Sequence, residues 1–326
     1  MIGARPMRLL LSAVCRERLS ERIRALAGSA KLQMVGVEEG GFDWAFVSRD
    51  VTGLSTKQDI LPETRCFYDA LERSPTLRWV HVHSAGADRD IYQRLQERGV
   101  ELTTSPGTNA TIVAQSAVAA ILSLARHFPL LREAQALHLW QPLLQTGLPE
   151  DLEGQTVTLV GWGPVGQAIA RYVEVFGLRV RVVRHRQTTE GCAWPVSTYD
   201  KLDEWLPDTD WLVLACPLSP QTQRLVDARR LRLLRHGARV INVSRGSVID
   251  ETALVQALRD RHVIGAYLDV FEQEPLSPDS ALWDLQNALI TPHSAGFSAG
   301  NEARVDNVFL QRLAQRLVAC RDDQRH

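Results

Sequence analysis

Three polar residues in this chain could together perform acid–base chemistry on a small acidic substrate. Arg245 lies in NVSRGSVID, Glu274 in DVFEQEPL and His293 in TPHSAG, each just beyond a strongly apolar run that is typical of a strand. A guanidinium can bind a carboxylate and polarise a carbonyl, and an imidazolium can donate a proton. A neighbouring carboxylate favours the charged imidazole. The set suits reversible reduction of a 2-keto acid; the alternative is a structural histidine and a surface acid.

A glycine loop, GWGPVG, runs from Gly161 to Gly166 and directly follows the apolar run TVTLV. Gly161 permits a tight turn, Gly163 lets the backbone approach a pyrophosphate, and Gly166 allows the following helix to pack closely on the strand. Pro164 and Val165 complete the loop. This context predicts a dinucleotide site rather than an incidental turn.

The next apolar run, LRVRVV, ends without the acidic residue that would bind the ribose hydroxyls of NAD. Arg184, His185 and Arg186 follow it, and the first acid is Glu190. Two guanidiniums would pair with a 2'-phosphate, so the sequence favours NADP over NAD. The alternative is that both arginines are simply exposed loop cations.

Two regions of alternating apolar and amphipathic segments must position these residues. The first contains five apolar runs, LLLSAV, LQMVGV, WAFVS, LRWVHV and VELTT, with helical patterns over 17–26, 64–73 and 90–97. The second contains six, TVTLVGWG, LRVRVV, DWLVLAC, ARVINVS, VIGAYLDV and ALITPH. Such alternation predicts parallel, helix-flanked sheets, and six strands are typical of a doubly wound dinucleotide fold.

A long helix is predicted from about Thr108 to His127, with Thr108 or Asn109 as its cap, and it would link the two regions. We therefore predict a two-domain α/β protein. Residues 1–103 plus 297–326 would form a flavodoxin-like substrate-binding domain, and residues 104–296 a Rossmann-type coenzyme domain with a doubly wound parallel sheet. The active site would lie in the cleft between them, where hinge closure excludes water.

Bulk properties exclude several other classes of function. A net charge of −1 over 326 residues gives no reason to expect nucleic acid or a membrane as a partner. The arginines at 229, 230, 232 and 235 favour a solvated helix face. Five scattered cysteines without a CxxC pair predict neither disulfides nor a metal site, which suits the cytoplasm. The short run LLLSAVC favours a buried strand over a signal sequence.

Several further stretches resemble the D-2-hydroxyacid dehydrogenase family, most closely its glyoxylate and hydroxypyruvate reductase branch. They are HSAGADR from His83, the glycine loop, PLSPQTQRLVD from Pro217, NVSRGSVIDETAL from Asn242, GAYLDVFEQEPL from Gly265 and ITPHSAG from Ile290. They occur in the family's order and cover most of the chain.

The resemblance implies a role for each matching position. Arg245 would bind the substrate carboxylate and carbonyl, His293 would be the acid/base, and Glu274 its partner. The backbone of Ser84, Ala85 and Gly86 would receive the substrate carboxylate. Asp269 would lie near the nicotinamide carboxamide, and other positions would line the cofactor: Cys216, Pro217, Thr222 and Val243.

Four more residues carry weaker expectations. Gln115 stands where the family usually has Glu, and we expect it to be a helix-surface or interdomain contact. Trp140 resembles a tryptophan near the substrate pocket, but a dimer-interface anchor is an equal alternative. Trp44 and Arg49 could also line the pocket.

The expected reaction is NADPH-dependent reduction of a small 2-keto acid, such as glyoxylate or hydroxypyruvate, to the D-2-hydroxy acid without a metal. The resemblance also implies a homodimer through the coenzyme domain. A dehydrogenase of D-3-phosphoglycerate or another sugar acid shares the same core and is one alternative. A nucleotide-sensing corepressor of this fold is another, which the neutral charge disfavours.

Overall fold

The computed structural model describes residues 5–56, 59–188 and 190–323 and divides into two compact units. The first comprises Met1–Thr108 with Ser298–His326, and the second comprises Asn109–Phe297. The predicted boundaries after residues 103 and 296 fall close to these divisions. The assignment of substrate and coenzyme to the units stays a prediction.

The first unit is a five-stranded parallel sheet flanked by helices. Its strands are β1 (Met7–Leu10), β2 (Leu32–Val35), β3 (Trp44–Val47), β4 (Trp79–Val82) and β5 (Glu101–Thr104). Its helices are α1 (Ala13–Ala27), α2 (Arg49–Thr52), α3 (Pro62–Arg73), α4 (Asp90–Glu97) and the C-terminal helix Asn301–Asp323. The order β2-β1-β3-β4-β5 is that of flavodoxin-like folds, so this part of the predicted fold class is confirmed.

Helix α1 shows how the sequence directs packing in this unit. The Ser12 side chain accepts a hydrogen bond from the Cys15 backbone amide and so caps the helix. Cys15, Leu19 and Ile23 are buried at a spacing of four residues, which places them on one face of the helix. That face shares its core with the C-terminal helix, whose Phe309 ring stacks on Phe46 with 4.2 Å between ring centroids.

The second unit contains a seven-stranded parallel sheet in the order β12-β11-β10-β9-β6-β7-β8. Its strands are β6 (Thr156–Val160), β7 (Arg179–Arg184), β8 (Val196–Thr198), β9 (Trp211–Leu214), β10 (Ala238–Asn242), β11 (Val263–Leu268) and β12 (Ala288–Ile290). The strand order reverses at β6, as in the doubly wound dinucleotide fold, so the Rossmann-type prediction is confirmed.

The predicted count of six strands in this region is wrong by one. Strand β8 spans only three residues at the sheet edge, where it pairs in parallel with the end of β7. Its sequence, VST, is too short to produce a recognisable apolar run, so the pairing itself defines the strand.

In the part of this unit that the structure describes, six α-helices accompany the sheet. They are α5 (Ala110–Ala125), α6 (Phe128–Ala136), α7 (Leu143–Thr146), α8 (Pro164–Val175), α9 (Ala228–Leu233) and α10 (Glu251–Arg259). Asn109 is the N-cap residue of α5, although its side chain makes no capping hydrogen bond. No single helix in the described ranges is long and apolar enough to cross a membrane; α5 and α6 reach that composition only as a pair bent by 70°.

The prediction of a solvated arginine face around α9 is only partly correct. Arg229 and Arg232 are exposed, but Arg230 is largely buried and donates to the carboxylate of Asp203 at 2.6 Å. Arg235 lies beyond the end of α9 and pairs with Asp210. Arg230 and Arg235 therefore connect neighbouring elements, although Arg235 stays exposed, and the exposed Arg229 also pairs with Asp203.

Candidate active site

The glycine loop turns sharply from β6 into α8. A Cβ on Gly161 would lie 2.6 Å from the Ala215 carbonyl, and one on Gly166 would lie 2.2 Å from the Gly161 oxygen. Gly161 also has a φ of +113°, which disfavours any other residue. A Cβ on Gly163, by contrast, would meet nothing within 4 Å. The packing therefore requires two of the glycines, while the third opens the N-terminus of α8 to an approaching anion.

The end of β7 supplies the predicted cations for a cofactor phosphate. Arg184 is half-buried and donates to the Thr188 carbonyl at 3.4 Å, and Arg186 is exposed. The side chain of Glu190 is exposed, and its backbone amide donates to the Thr188 hydroxyl. The preference of this site for a 2'-phosphate over a free ribose diol stays a prediction.

A pair of tryptophans that sequence analysis did not single out holds this loop against the glycine loop. Trp162 packs edge-to-face on Trp194, with 5.5 Å between ring centroids, and its indole donates to the Gly191 carbonyl at 3.3 Å. In the sequence, only the tryptophan inside the glycine loop, Trp162, could have indicated this contact. The pair connects the glycine loop to the segment 191–194.

The other predicted cofactor-lining side chains differ in accessibility. Cys216 is buried, and burial raises the pKa of its thiol to about 12. Thr222 is also fully buried, and its hydroxyl donates to the Pro217 carbonyl and accepts from the Ser219 amide, both at 2.7 Å. Pro217 is exposed and Val243 half-buried. Thr222 thus shapes the loop from within, leaving Pro217 on its surface.

His293 and Glu274 form the central contact of the site. The Nδ1 atom of His293 lies 2.8 Å from Glu274 Oε2, while Glu274 Oε1 accepts from the Phe271 amide at 3.1 Å. The imidazole is 51% exposed and the carboxylate 28%. His293 has a φ of +50°, a strained conformation for a non-glycine residue, and strain of this kind is concentrated at functional sites.

Asp269 supports the turn that carries His293. Its Oδ1 atom accepts hydrogen bonds from the Thr291 hydroxyl at 2.5 Å, the Ser294 amide at 2.7 Å and the Ala295 amide at 3.0 Å. Burial raises its pKa, and these hydrogen bonds oppose the shift. The predicted role of Asp269 near a nicotinamide stays a prediction.

Arg245 follows β10 in a loop that buried Asn242 organises. The Asn242 amide donates to the Arg245 carbonyl at 3.2 Å, and its Oδ1 accepts from the Ser244 hydroxyl at 2.7 Å. A Cβ on Gly246 would lie 1.8 Å from the Phe271 carbonyl carbon. The Arg245 loop therefore packs backbone to backbone against the segment that holds Glu274.

Strand order explains why these three distant residues meet. Arg245 follows β10, Glu274 follows β11 and His293 follows β12, and these strands are consecutive neighbours in the sheet. Because parallel strands end at the same edge, the structure brings the predicted cation, carboxylate and imidazole to one edge of the second unit.

The remaining predicted site residues have other surroundings. Trp140 is 96% exposed, so its side chain is not packed against the groups at the sheet edge. Gln115 lies on the exposed surface of α5. The proposed pocket role of Trp44 is wrong, because its ring is buried in the first unit's core against Trp79.

Within the first unit, the predicted substrate loop directly follows β4. The Ser84 hydroxyl donates to the Gly86 carbonyl at 2.6 Å, and Ala85 between them is exposed. Arg49 is half-buried at the start of α2. The substrate-binding role of these residues stays a prediction.

Among the described residues, no group of three or more His, Cys, Asp or Glu side chains could hold a metal ion.

The chain matches known proteins over most of its length. The sequence profile of "D-isomer specific 2-hydroxyacid dehydrogenase, NAD binding domain" matches residues 118–295. The glyoxylate reductase of Pyrococcus furiosus is 32% identical over 278 residues, which cover 83% of this chain and 80% of the relative. That of Korarchaeum cryptofilum is 32% identical over 255 residues, covering 77% and 75%.

A solved structure of the same family is also similar to this chain. The D-isomer specific 2-hydroxyacid dehydrogenase of Xanthobacter autotrophicus Py2, in complex with NADPH and MES, is 27% identical, with a TM-score of 0.72, and the alignment covers 97% of this chain and 96% of that one. The resemblance seen in the sequence motifs is confirmed. The chain belongs to the D-isomer specific 2-hydroxyacid dehydrogenase family, in its glyoxylate reductase branch, and is an NAD(P)-dependent oxidoreductase.

Proposed function

We propose that this enzyme reduces a small 2-keto acid of the glyoxylate or hydroxypyruvate type to the D-2-hydroxy acid, with NADPH as its preferred reductant. The hydrogen bond between His293 and Glu274, beside the loop that carries Arg245, is the observation that supports this proposal most strongly. The two relatives are glyoxylate reductases, which supports the substrate class.

Each of the three residues has a separate task in this mechanism. A bound nicotinamide supplies the hydride for the keto carbon. Arg245 binds the substrate carboxylate and polarises the keto oxygen, because its guanidinium keeps its charge and offers paired donors. His293 gives its Nε2 proton to the oxygen, since its Nδ1 is engaged by Glu274. The carboxylate of Glu274 stabilises the imidazolium and fixes its orientation.

A panel of substrates and cofactors tests this function directly. Glyoxylate, hydroxypyruvate and larger 2-keto acids are each assayed with NADPH and with NADH by absorbance of the reduced nicotinamide, and D-3-phosphoglycerate is assayed as an oxidisable substrate. We expect the highest kcat/KM with a small 2-keto acid and NADPH. Negligible turnover throughout, or a clear preference for the phosphorylated acid, would contradict the proposal.

The cofactor preference has its own test. In Arg184→Asp combined with Arg186→Ala, two cations are lost and a ribose-binding acid is gained, so the ratio of KM(NADPH) to KM(NADH) should rise about 10- to 100-fold. Arg259→Ala, at the exposed end of α10, is the matched control. An unchanged ratio in the double variant would show that these arginines do not select the cofactor.

We also propose that the enzyme is a homodimer through the segment 128–148 of the second unit. This segment exposes six large apolar side chains, an arrangement that favours a protein interface. They are Phe128, Leu137, Leu139, Trp140, Leu144 and Leu148. Trp140, at 96% exposure, would be an interface anchor instead of a pocket residue.

Light scattering of the full chain tests the dimer. Trp140→Asp with Leu144→Asp should yield monomers, because two charges would be buried without partners. Leu54→Asp, equally exposed but in the first unit, should leave the mass unchanged. A monomeric wild-type protein, or a double variant with the wild-type mass, would reject this interface.

A further inference from the structure

A second cleft opens at the opposite edge of the seven-stranded sheet from the catalytic residues. Its volume is about 570 Å³, within the range of small-ligand sites. Its lining comes from residues at or just before the amino ends of β6 to β10, whereas the glycine loop and the catalytic residues lie at the carboxyl ends. The cleft is therefore separate from the dinucleotide site of the same unit.

Three guanidiniums and two carboxylates line this cleft, which gives it a net charge of +1. The cations are Arg179, Arg181 and Arg235, and the acids are Asp208 and Asp210. Of the two acids, Asp210 is already engaged, because it pairs with Arg235 and accepts from the Thr156 amide at 2.7 Å. Asp208 is exposed and attracts Arg181 electrostatically. The single remaining carboxylate, that of Asp208, thus cannot neutralise both remaining guanidiniums, those of Arg179 and Arg181.

Arg181 is half-buried and is held by uncharged partners. Its Nε donates to the Thr158 hydroxyl at 2.9 Å, and its Nη2 to the Trp205 carbonyl and the Thr209 hydroxyl. Burial lowers the pKa of this guanidinium. Its Nη1 donors have no partner among the described residues, so an anion in the cleft would both accept them and compensate a partly desolvated charge.

Arg179 is the more accessible cation. It is exposed, and its one side-chain hydrogen bond within the described chain goes to the Thr156 hydroxyl at 3.3 Å. A guanidinium has five N–H donors in a planar fork that matches carboxylate and phosphate oxygens. Arg239 lies over the Trp211 ring at 4.8 Å and interacts electrostatically with the lining residues Asp210 and Arg235. Pro195 and Pro207 give the cleft an apolar wall.

We propose that this cleft binds a small anion that carries a carboxylate or phosphate group. Arg179 and the Nη1 group of Arg181 provide the donors, and the prolines contact the apolar part of the ligand. The site is independent of the proposed reaction, because no lining residue belongs to the glycine loop or the catalytic trio.

Calorimetry with the full chain tests this site, using inorganic phosphate and malonate as probes at constant ionic strength and saturating NADP. We expect a Kd of about 1 mM or tighter for at least one probe. Arg179→Glu should weaken that binding at least about tenfold, and Arg179→Lys should restore part of it. Two control variants should bind the probe as wild type does. Arg259→Glu replaces an exposed arginine outside the cleft, and Arg245→Ala removes the guanidinium of the proposed catalytic trio.

The outcomes separate the two ligand sources and can reject the site. Binding of phosphate alone would indicate a phosphorylated ligand, and binding of malonate alone a carboxylic acid. NADPH affinity equal to wild type shows that Arg179→Glu remains folded. No binding of either probe to wild type, or equal affinity in Arg179→Glu, would overturn the proposal.

Discussion

The carboxyl edges of the two sheets both carry histidines, but in opposite environments. In the first unit, His81 is fully buried, and its ring nitrogens lie 2.8 Å from the Thr103 hydroxyl and 2.9 Å from the Ser105 hydroxyl. Burial lowers the pKa of His81 to about 4 and that of His83 to about 3, with a smaller effect of nearby arginines. In the second unit, His293 is 51% exposed and contacts a carboxylate.

This difference supports the proposal that His293, and not His81, is the acid. A desolvated ring held by hydroxyls stays neutral at physiological pH and serves packing and hydrogen bonding. A ring that reaches solvent beside a carboxylate can take up a proton and give it to a substrate. His81 lies in an apolar strand, and His83 and His293 each follow one. The neighbouring groups and the access of solvent to the ring therefore decide what each histidine can do, more than its position in the sheet does.

Removal of the imidazole should produce the largest effect. His293→Ala should lower kcat about 10²- to 10⁴-fold while NADPH binding survives, because only the proton donor is lost. His81→Asn, which replaces a buried neutral ring, should keep kcat within a few-fold of wild type. Steady-state kinetics and NADPH titration measure both. Comparable losses in the two variants would remove the distinction between the two histidines.

A change in loop packing should have the next largest effect. Gly246→Ala would force the Arg245 loop away from Phe271, because the new Cβ would lie 1.8 Å from that carbonyl carbon. A displacement of this kind should lower kcat/KM about 10²-fold without titrating any group. Gly265→Ala, where the nearest atom is 3.4 Å away, is the control. Equal activity of both variants with wild type would mean that the contact does not position Arg245.

Neutralisation of the carboxylate should have a smaller effect. Glu274→Gln keeps a hydrogen-bonding oxygen but removes the charge that stabilises the imidazolium, so kcat/KM near neutral pH should fall about tenfold. Glu97→Gln, at the exposed end of α4, is the matched control. A kcat/KM equal to wild type in Glu274→Gln would show that the carboxylate does not support the acid.

The buried histidines should affect stability and not activity. The unfolded chain takes up protons below about pH 6.5 while the folded rings stay neutral, so the free energy of unfolding should decrease as pH falls from 7 to 5. His81→Asn should reduce this slope by up to about 1.4 kcal/mol per pH unit. Urea unfolding at several pH values measures this slope. If the free energy of unfolding depended on pH equally in wild type and in His81→Asn, His81 would not contribute.

The sequence by itself determined the type of fold and the family, and it predicted the chemistry. Apolar runs that alternate with amphipathic segments required parallel sheets, because only helix-covered strands are apolar on both faces. The spacing of Gly161, Gly163 and Gly166 predicted a turn, and the packing requires glycine at positions 161 and 166. Arg245, Glu274 and His293 could be predicted as a site because each polar residue lies a few residues beyond the end of a strand.

Only the tertiary structure decided which of these residues share an edge and which side chains are accessible. The three-residue strand β8, the Trp162–Trp194 contact and the approach of Gly246 to Phe271 all join segments distant in sequence. The buried Thr222 and the exposed Trp140 have accessibilities that composition cannot reveal. Such contacts depend on strand order and long-range packing, which local propensity does not encode, and the arginine-lined cleft at the amino edge arises in the same way.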